Sequence, residues 1–324
     1  MSAKTEEKKK FNFGQFYGKF GIIIILVALF AISAVAVPGF LSAYNLTNIL
    51  LAIACTTTLA LGATFVIILG HINIAYGSEL ALIGCVACMV DVATGSVLLA
   101  IVVALLMGIV LGAICGFVIT KFSIPAFIVT LALTEAARGT AVKVTGGQTI
   151  SGLTKSFTFL GQGYVGPIPM AIIILIVCFI ACYIILNKTP FGRYIYAVGG
   201  NAKAAEASGI NPNKVVFKAY LLDGVLTGIA SLILMARMNS GVPGAGLTFE
   251  MDAITAVVVG GTSMSGGSGT LVGTIFGAII VGIINNILTL LGVDSNIQKI
   301  VKGLIIVAAV IIDVVTKNSA KKAR

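Results

Sequence analysis

The chain has 324 residues, of which 58% are hydrophobic and only 10% charged, and its mean hydropathy is +1.11. Soluble domains are about half apolar and about a quarter charged, so this composition excludes a water-soluble globular protein and calls for a bilayer as solvent. The formal charge of +10 is not that of a nucleic-acid binder. Lys and Arg gather at the two ends (Lys4, Lys8, Lys9, Lys10 and Lys19; Lys317, Lys321, Lys322 and Arg324) and in one central loop, the distribution of a membrane protein that keeps them on the cytoplasmic side.

The Lys-rich start, the apolar run 21–37 and the small residues Ala34-Val35-Ala36 together imitate a secretory signal. That run has 17 residues, longer than a signal core and enough to span, so an uncleaved first helix is expected. Further apolar segments follow at 46–69, 78–94, 96–120, 124–143, 168–187, 215–238, 251–264, 270–291 and 296–316, which makes ten. Only Thr94-Gly95-Ser96 separates the third from the fourth, and the eighth is short. Ten crossings leave both basic ends on one side and put 15 of the 21 Lys and Arg there; nine or eleven would send one basic end outside. The expectation is an all-α polytopic membrane helix bundle with both termini cytoplasmic. A basic N-terminus (1–20) and a basic tail (317–324) would flank a single transmembrane domain (21–316).

Two linkers are long, and long loops in compact membrane folds usually carry function. The outer one, 144–167, is rich in Gly, Thr and Ser; the inner one, 188–214, holds most of the loop charge. Within the inner loop Asn201 is a good N-cap. Ala202-Lys203-Ala204-Ala205-Glu206-Ala207 has high helix propensity, Gly209 suits a left-handed C′ position, and Pro212 forbids continuation. These residues specify a short, doubly capped helix outside the membrane, too short to stand alone in water and therefore needing a partner surface. All six cysteines (Cys55, Cys85, Cys88, Cys115, Cys178, Cys182) lie in apolar stretches. Cys85-x-x-Cys88 lacks the second pair of a zinc site, so they read as packing residues and no metal is expected. The sequence has no GxxxxGK[ST] loop, and Gly266-Gly267-Ser268-Gly269-Thr270 lacks the Lys. Any ATP hydrolysis must come from another chain.

An ordered series of motifs carries a resemblance. Phe191-Gly192-Arg193-Tyr194-Ile195-Tyr196-Ala197-Val198-Gly199-Gly200-Asn201, with Ala204-Ala205 and Ser208-Gly209-Ile210-Asn211, is similar to the permease family of ribose- and galactose-type ABC importers. So are Ile124-Pro125-Ala126-Phe127-Ile128, Ala137-Arg138-Gly139, Thr145-Gly146-Gly147-Gln148, Glu250-Met251-Asp252-Ala253-Ile254, Val259-Gly260-Gly261-Thr262-Ser263, Gly282 with Asn285-Asn286, and Gln298-Lys299-Ile300-Val301-Lys302-Gly303. The resemblance implies a multi-pass subunit of the bacterial inner membrane. Its implied partners are a second permease copy (itself or a close paralogue), an ABC ATPase subunit and an extracytoplasmic sugar-binding protein. ATP and Mg would sit on the ATPase and no cofactor on this chain. It assigns ATPase coupling to Gly192, Arg193, Gly199, Gly200, Asn201, Ala204, Ala205, Glu206 and Gly209.

A sugar path wants amides and hydroxyls, and irregular backbone at membrane depth survives only against protein or a water-filled cavity. The stretches 70–79 and 260–269 break the apolar pattern in opposite halves. Asn48, Thr57, Asn73, Gly260, Gly261, Thr262, Asn285 and Asn286 are therefore the candidate path residues. At 70–75 the family usually has Gly-Gly-Ile-Asp-Leu-Ser, where this chain reads Gly70-His71-Ile72-Asn73-Ile74-Ala75. The lone His71 reads as a loop histidine. Asp223 is an acid where relatives carry a small neutral residue, and Glu135 and Arg138 are spaced to pair on one helix face. A nucleoside or signalling sugar is an alternative solute. A proton-coupled transporter using Glu135, Asp223 or Asp313 is a competing class, but the sequence has no clustered acidic relay. An intramembrane enzyme would need a nucleophile and base together.

Overall fold

The computed structural model describes residues 13–322, with side chains described between residues 21 and 311 except at Ala309. The basic segment 1–12, Arg324, and the side chains of Lys19, Asp313, Lys317, Lys321 and Lys322 lie outside the described residues. In chain order the elements are α1 (Phe13–Ala36), α2 (Ala43–Ile68), α3 (Tyr76–Thr94), α4 (Val97–Phe122), α5 (Ala126–Thr145), α6 (Lys155–Gln162), β1 (Tyr164–Val165), β2 (Ile168–Pro169), α7 (Met170–Lys188), α8 (Pro190–Gly200), α9 (Ala202–Ala207), α10 (Pro212–Met238), α11 (Phe249–Val259), α12 (Leu271–Leu290) and α13 (Ser295–Lys322). The two strands form an antiparallel hairpin.

Among the described residues six helices, α2, α3, α4, α7, α10 and α12, are long and apolar enough to cross a membrane; Gly21–Ala36 adds a shorter apolar helix. α5 carries Glu135, Arg138 and Lys143 within its 20 residues, and α11 has only 11. The apolar segment 251–264 is thus helical only in part, because Gly260 and Gly261 (φ +85°) turn the chain at the end of α11.

α2 and α10 are buried along most of their length, whereas α4 and α7 turn most of their surface outward. That outward surface is apolar: Val102, Leu106, Val110 and Phe117 on α4 are each 42% exposed or more. An apolar face of this extent is what lipid tails cover. Between helices in lipid there is no hydrophobic drive to association, so close backbone approach and interhelical hydrogen bonds take its place. α4 presents Gly108, Gly112 and Gly116 at every fourth position along α10. A Cβ on Gly108 would run into the carbonyl of Gly224, and one on Gly112 into that of Tyr220. Across α2 and α12, Thr64 and Thr274 share a hydroxyl hydrogen bond of 2.8 Å.

The link from α2 to α3 is an extended stretch inside the bundle, and its polar backbone groups are accounted for. Thr130 and Thr134, one turn apart on α5, donate to the carbonyls of Ile72 (3.3 Å) and Ile74 (3.2 Å). The Ala75 N–H donates to Asn73 Oδ1 at 2.9 Å.

At one end of the bundle lie α8, α9 and the links 69–75 and 260–270. At the other end α6 and the β1–β2 hairpin close over the C-terminus of α10. There the buried Asp91 accepts from the Thr154 N–H and hydroxyl (both 2.8 Å), and Ile150 pairs with Gly241. Arg138 makes no ion pair with Glu135 among the described residues; it donates to the carbonyls of Pro243 (2.6 Å) and Ala245 (2.8 Å). A guanidinium offers five donors in a fixed fork, and here the fork holds the loop leading to α11.

Gly112→Leu should force α4 off α10 and destabilise the protein by ~1–3 kcal/mol or more. Thermal unfolding in detergent reads this directly. Gly139→Ala on α5, where a Cβ meets open space, should leave the transition unmoved.

Candidate functional site

The α8–α9 end is built by a succession of caps. The Thr189 hydroxyl accepts from the Gly192 N–H at 3.4 Å and Pro190 opens α8, a Pro at the position where its missing N–H is not needed. The inner loop therefore folds as two helices where the sequence reading finds only the second. The overlooked signal is the pair Thr189-Pro190. A Cβ on Gly192 would enter the carbonyl of Leu186, so this glycine lets α8 fold tightly back on α7.

α9 matches its expected caps. Asn201 Oδ1 accepts from the Ala204 N–H at 3.0 Å. Gly209 has φ +82°, its N–H reaches the Glu206 carbonyl at 2.9 Å, and the Ile210 N–H reaches the Ala205 carbonyl at 3.0 Å. Those two bonds are a complete Schellman motif. Ala205 is buried against the bundle while Ala202, Lys203, Glu206 and Ala207 face outward. Two residues beyond Gly209, the Asn211 side chain caps α10 through the Lys214 N–H at 3.0 Å.

The C-terminus of α8 then meets both interrupted stretches. A Cβ on Gly199 would collide with the Ile68 carbonyl, which instead accepts from the Gly267 N–H at 2.8 Å. Gly266 (φ +80°) lies against Gly199 and Gly70, and Gly267 against Gly200. Tyr196 donates to the Gly269 carbonyl at 2.8 Å. The inner loop, the end of α2 and the α11–α12 turn thus share one glycine-built contact.

At the opposite end, α2, α10 and α12 enclose a cavity of about 570 Å³ lined by Ser42, Asn48, Thr56, Arg237, Asn285 and Asn286 among others. Asn286 and Asn45 exchange amide hydrogen bonds of 2.7 and 3.1 Å, and Asn45 also donates to the Phe40 carbonyl at 2.9 Å. This reciprocal pair fixes α12 to α2. Asn285 Oδ1 is buried with no partner among the described residues. The guanidinium of Arg237 makes no ion pair or hydrogen bond among them either. An unmatched donor fork and an unmatched amide oxygen on one cavity wall are set to bind a hydroxyl-rich solute or water.

Of the candidate path residues, the structure brings Asn48, Asn285 and Asn286 together at this cavity. Thr57 lines instead an apolar cavity of about 650 Å³ among α1, α2, α7 and α12. Gly260, Gly261 and Thr262 form the α11–α12 turn, with Gly260 against Gly273 and Thr262 under Gly269. Asn73 is turned onto α10. Its amide donates to Asp223 (3.0 Å) and, at 3.5 Å, to Glu79, while Tyr76 donates to Asp223 at 2.8 Å. Asn73 and Asp223, two of the positions singled out as departures from the pattern the chain resembles, thus lie in contact. Arg237 is not among the path residues that the sequence suggests. Its signal was available, since no acid stands three or four residues away to pair with it. Among the described residues no cluster of His, Cys, Asp and Glu could hold a metal ion.

Apolar helices wrapped in an apolar outer face, a polar cavity at one end and a capped loop helix at the other define a multi-pass membrane transport subunit. A family model described as "Branched-chain amino acid transport system / permease component" matches residues 45–310, and the chain belongs to this permease family. It is 41% identical over 311 residues to a ribose import permease protein of Haemophilus influenzae, covering 95% of this chain and 96% of the relative. It is likewise 41% identical over 316 residues to the ribose import permease protein of Bacillus subtilis (96% and 98% covered). With the L-arabinose transport system permease protein of Escherichia coli the identity is 34% over 312 residues (96% and 95% covered). No solved structure matches the chain.

The Asn45–Asn286 exchange can be isolated by a double-mutant cycle with alanine at each position. Thermal unfolding in detergent should return a coupling of about 0.6–2 kcal/mol; additive single effects would show that the pair holds nothing.

Proposed function

We propose that the chain is the membrane-spanning permease subunit of a binding-protein-dependent ABC importer that carries a monosaccharide inward. The observation that carries this reading is the end-to-end likeness to permeases named for ribose, with xylose and L-arabinose permeases at 33% and 34% identity. It favours a sugar over the amino acids in the family's description. A cavity walled by amides, hydroxyls and one donor fork suits a neutral polyol, and no carboxylate lines it.

In this reading the chain forms ten membrane segments, with the α8–α9 end and both termini cytoplasmic and the polar cavity facing outward to receive sugar from an extracytoplasmic binding protein. The transmembrane domain runs over 21–316, flanked by the basic ends 1–20 and 317–324. Two permeases, two copies or close paralogues, pair with ATPase subunits that hold ATP and Mg. The exposed face of α9 docks on the ATPase, with Asn201, Ala204, Ala205, Glu206 and Gly209 setting its shape, Arg193 beside it, and Gly192, Gly199 and Gly200 joining it to the bundle. Asn48, Arg237, Asn285 and Asn286 line the outer mouth of the path. Asn73, Thr57 and the turn Gly260-Gly261-Thr262 act on it from the surrounding packing.

Proteoliposomes holding the permease with its cognate ATPase, loaded with ATP and offered sugar-charged binding proteins, test the reading. Uptake of a pentose or hexose that stops without ATP is expected. Uptake that persists without ATP and collapses with an uncoupler would replace the importer by a proton-coupled carrier. Arg237→Ala and Asn285→Ala should each lower uptake several-fold while ATPase co-purification stays unchanged. Gly209→Ala, which strains the left-handed cap of α9, should weaken that co-purification by about tenfold, the equivalent of ~1.4 kcal/mol of lost cap geometry.

A further inference from the structure

A second polar cavity, of about 370 Å³, opens beside the α8–α9 end between the C-terminus of α4 and the N-terminus of α10. Phe117, Lys121, Asn213, Lys214, Phe217 and Lys218 line it, and no acidic residue does. Its three lysines are exposed and make no ion pair among the described residues. The first turn of α10 adds the positive end of a 27-residue helix. Below the lysines the wall becomes apolar and outward-facing. Val110 (54% exposed), Ile114 (46%) and Phe117 (52%) follow one another at helical spacing down α4, away from the basic rim.

An anion with a long apolar tail matches this sequence of surfaces. A free phosphate would use the rim and leave the stripe unused, whereas a water-soluble protein would not follow the stripe into the bilayer. We propose that this cavity binds one anionic glycerophospholipid of the cytoplasmic leaflet. Its phosphate lies among Lys121, Lys214 and Lys218, and an acyl chain runs along Val110, Ile114 and Phe117. Lys side chains at a helix end reach the headgroup level with their stems against apolar surface, and basic pockets between membrane helices on this side are suited to anionic headgroups. The site stands where α9 hands over to α10 through Asn211, so the lipid props the base of the docking helix. The inference uses the orientation of the chain in the membrane and nothing about the transported solute.

The permease with its ATPase, reconstituted in vesicles of mixed phosphatidylglycerol and phosphatidylcholine and released for native mass spectrometry, tests it. The wild-type complex should retain phosphatidylglycerol in preference to phosphatidylcholine. The variant K121Q/K214Q/K218Q should bind phosphatidylglycerol about a hundredfold more weakly, the share expected of three lysines at a membrane surface. Lys143→Gln with Lys155→Gln, at the opposite end, should leave retention as it was. Unchanged retention in the triple variant would overturn the proposal. So would displacement of the lipid by inorganic phosphate at low concentration, or loss of the ATPase with lipid retention intact, which would assign the lysines to a protein partner.

Discussion

A bilayer offers no water to a backbone group left without a partner, and most of this architecture answers that constraint. Where the chain stays helical the groups pair within the helix. Where it breaks at 69–75 and 260–270, the breaks survive because neighbours supply the missing partners: Thr130 and Thr134 for Ile72 and Ile74, and the Gly267 N–H for the Ile68 carbonyl. Glycine makes the second solution possible, because only a residue without Cβ lets α8 reach the last carbonyl of α2. The same device recurs along α4 and α10, so backbone-to-backbone contact does the work that hydrophobic burial does in water.

The glycine contact connects what the sequence leaves apart. The loop proposed to meet the ATPase begins with α8, and α8 touches the α2–α3 break through Gly199 and the α11–α12 turn through Gly200 and Tyr196. In the proposed importer, a shift of α9 would be passed to both halves of the bundle at once, through these close contacts. The polar cavity lies at the far end of the same helices, α2, α10 and α12. Rigid helices fixed at one end by glycine and at the other by the Asn45–Asn286 pair are suited to carry movement across the membrane.

Local signals in the sequence were legible and distant ones were not. Asn201 and Gly209 announce α9 because caps are written in the residues they use, and each apolar segment announces its helix by length alone. α8 goes unanticipated in the sequence, although Pro190 after Thr189 is a helix opener. The α11 helix is shorter than its apolar run because left-handed Gly261 ends it. The contact of Asn73 with Asp223 joins positions 150 apart in the chain, and nothing local reports it. The Asn73 amide and the Tyr76 hydroxyl both donate to the Asp223 carboxylate. Arg237 is visible in the sequence as a charge but acquires meaning only with Asn285 lining the same cavity.

The central claim is that α8 transmits the state of the docking loop to the path through contacts such as the Tyr196–Gly269 hydrogen bond. Tyr196→Phe removes that bond and keeps the ring. The direct measurement is the number of sugar molecules taken up per ATP hydrolysed in proteoliposomes of the complete complex. The account predicts that hydrolysis continues while uptake per ATP falls several-fold. An unchanged ratio, with both rates equal to wild type, would contradict it.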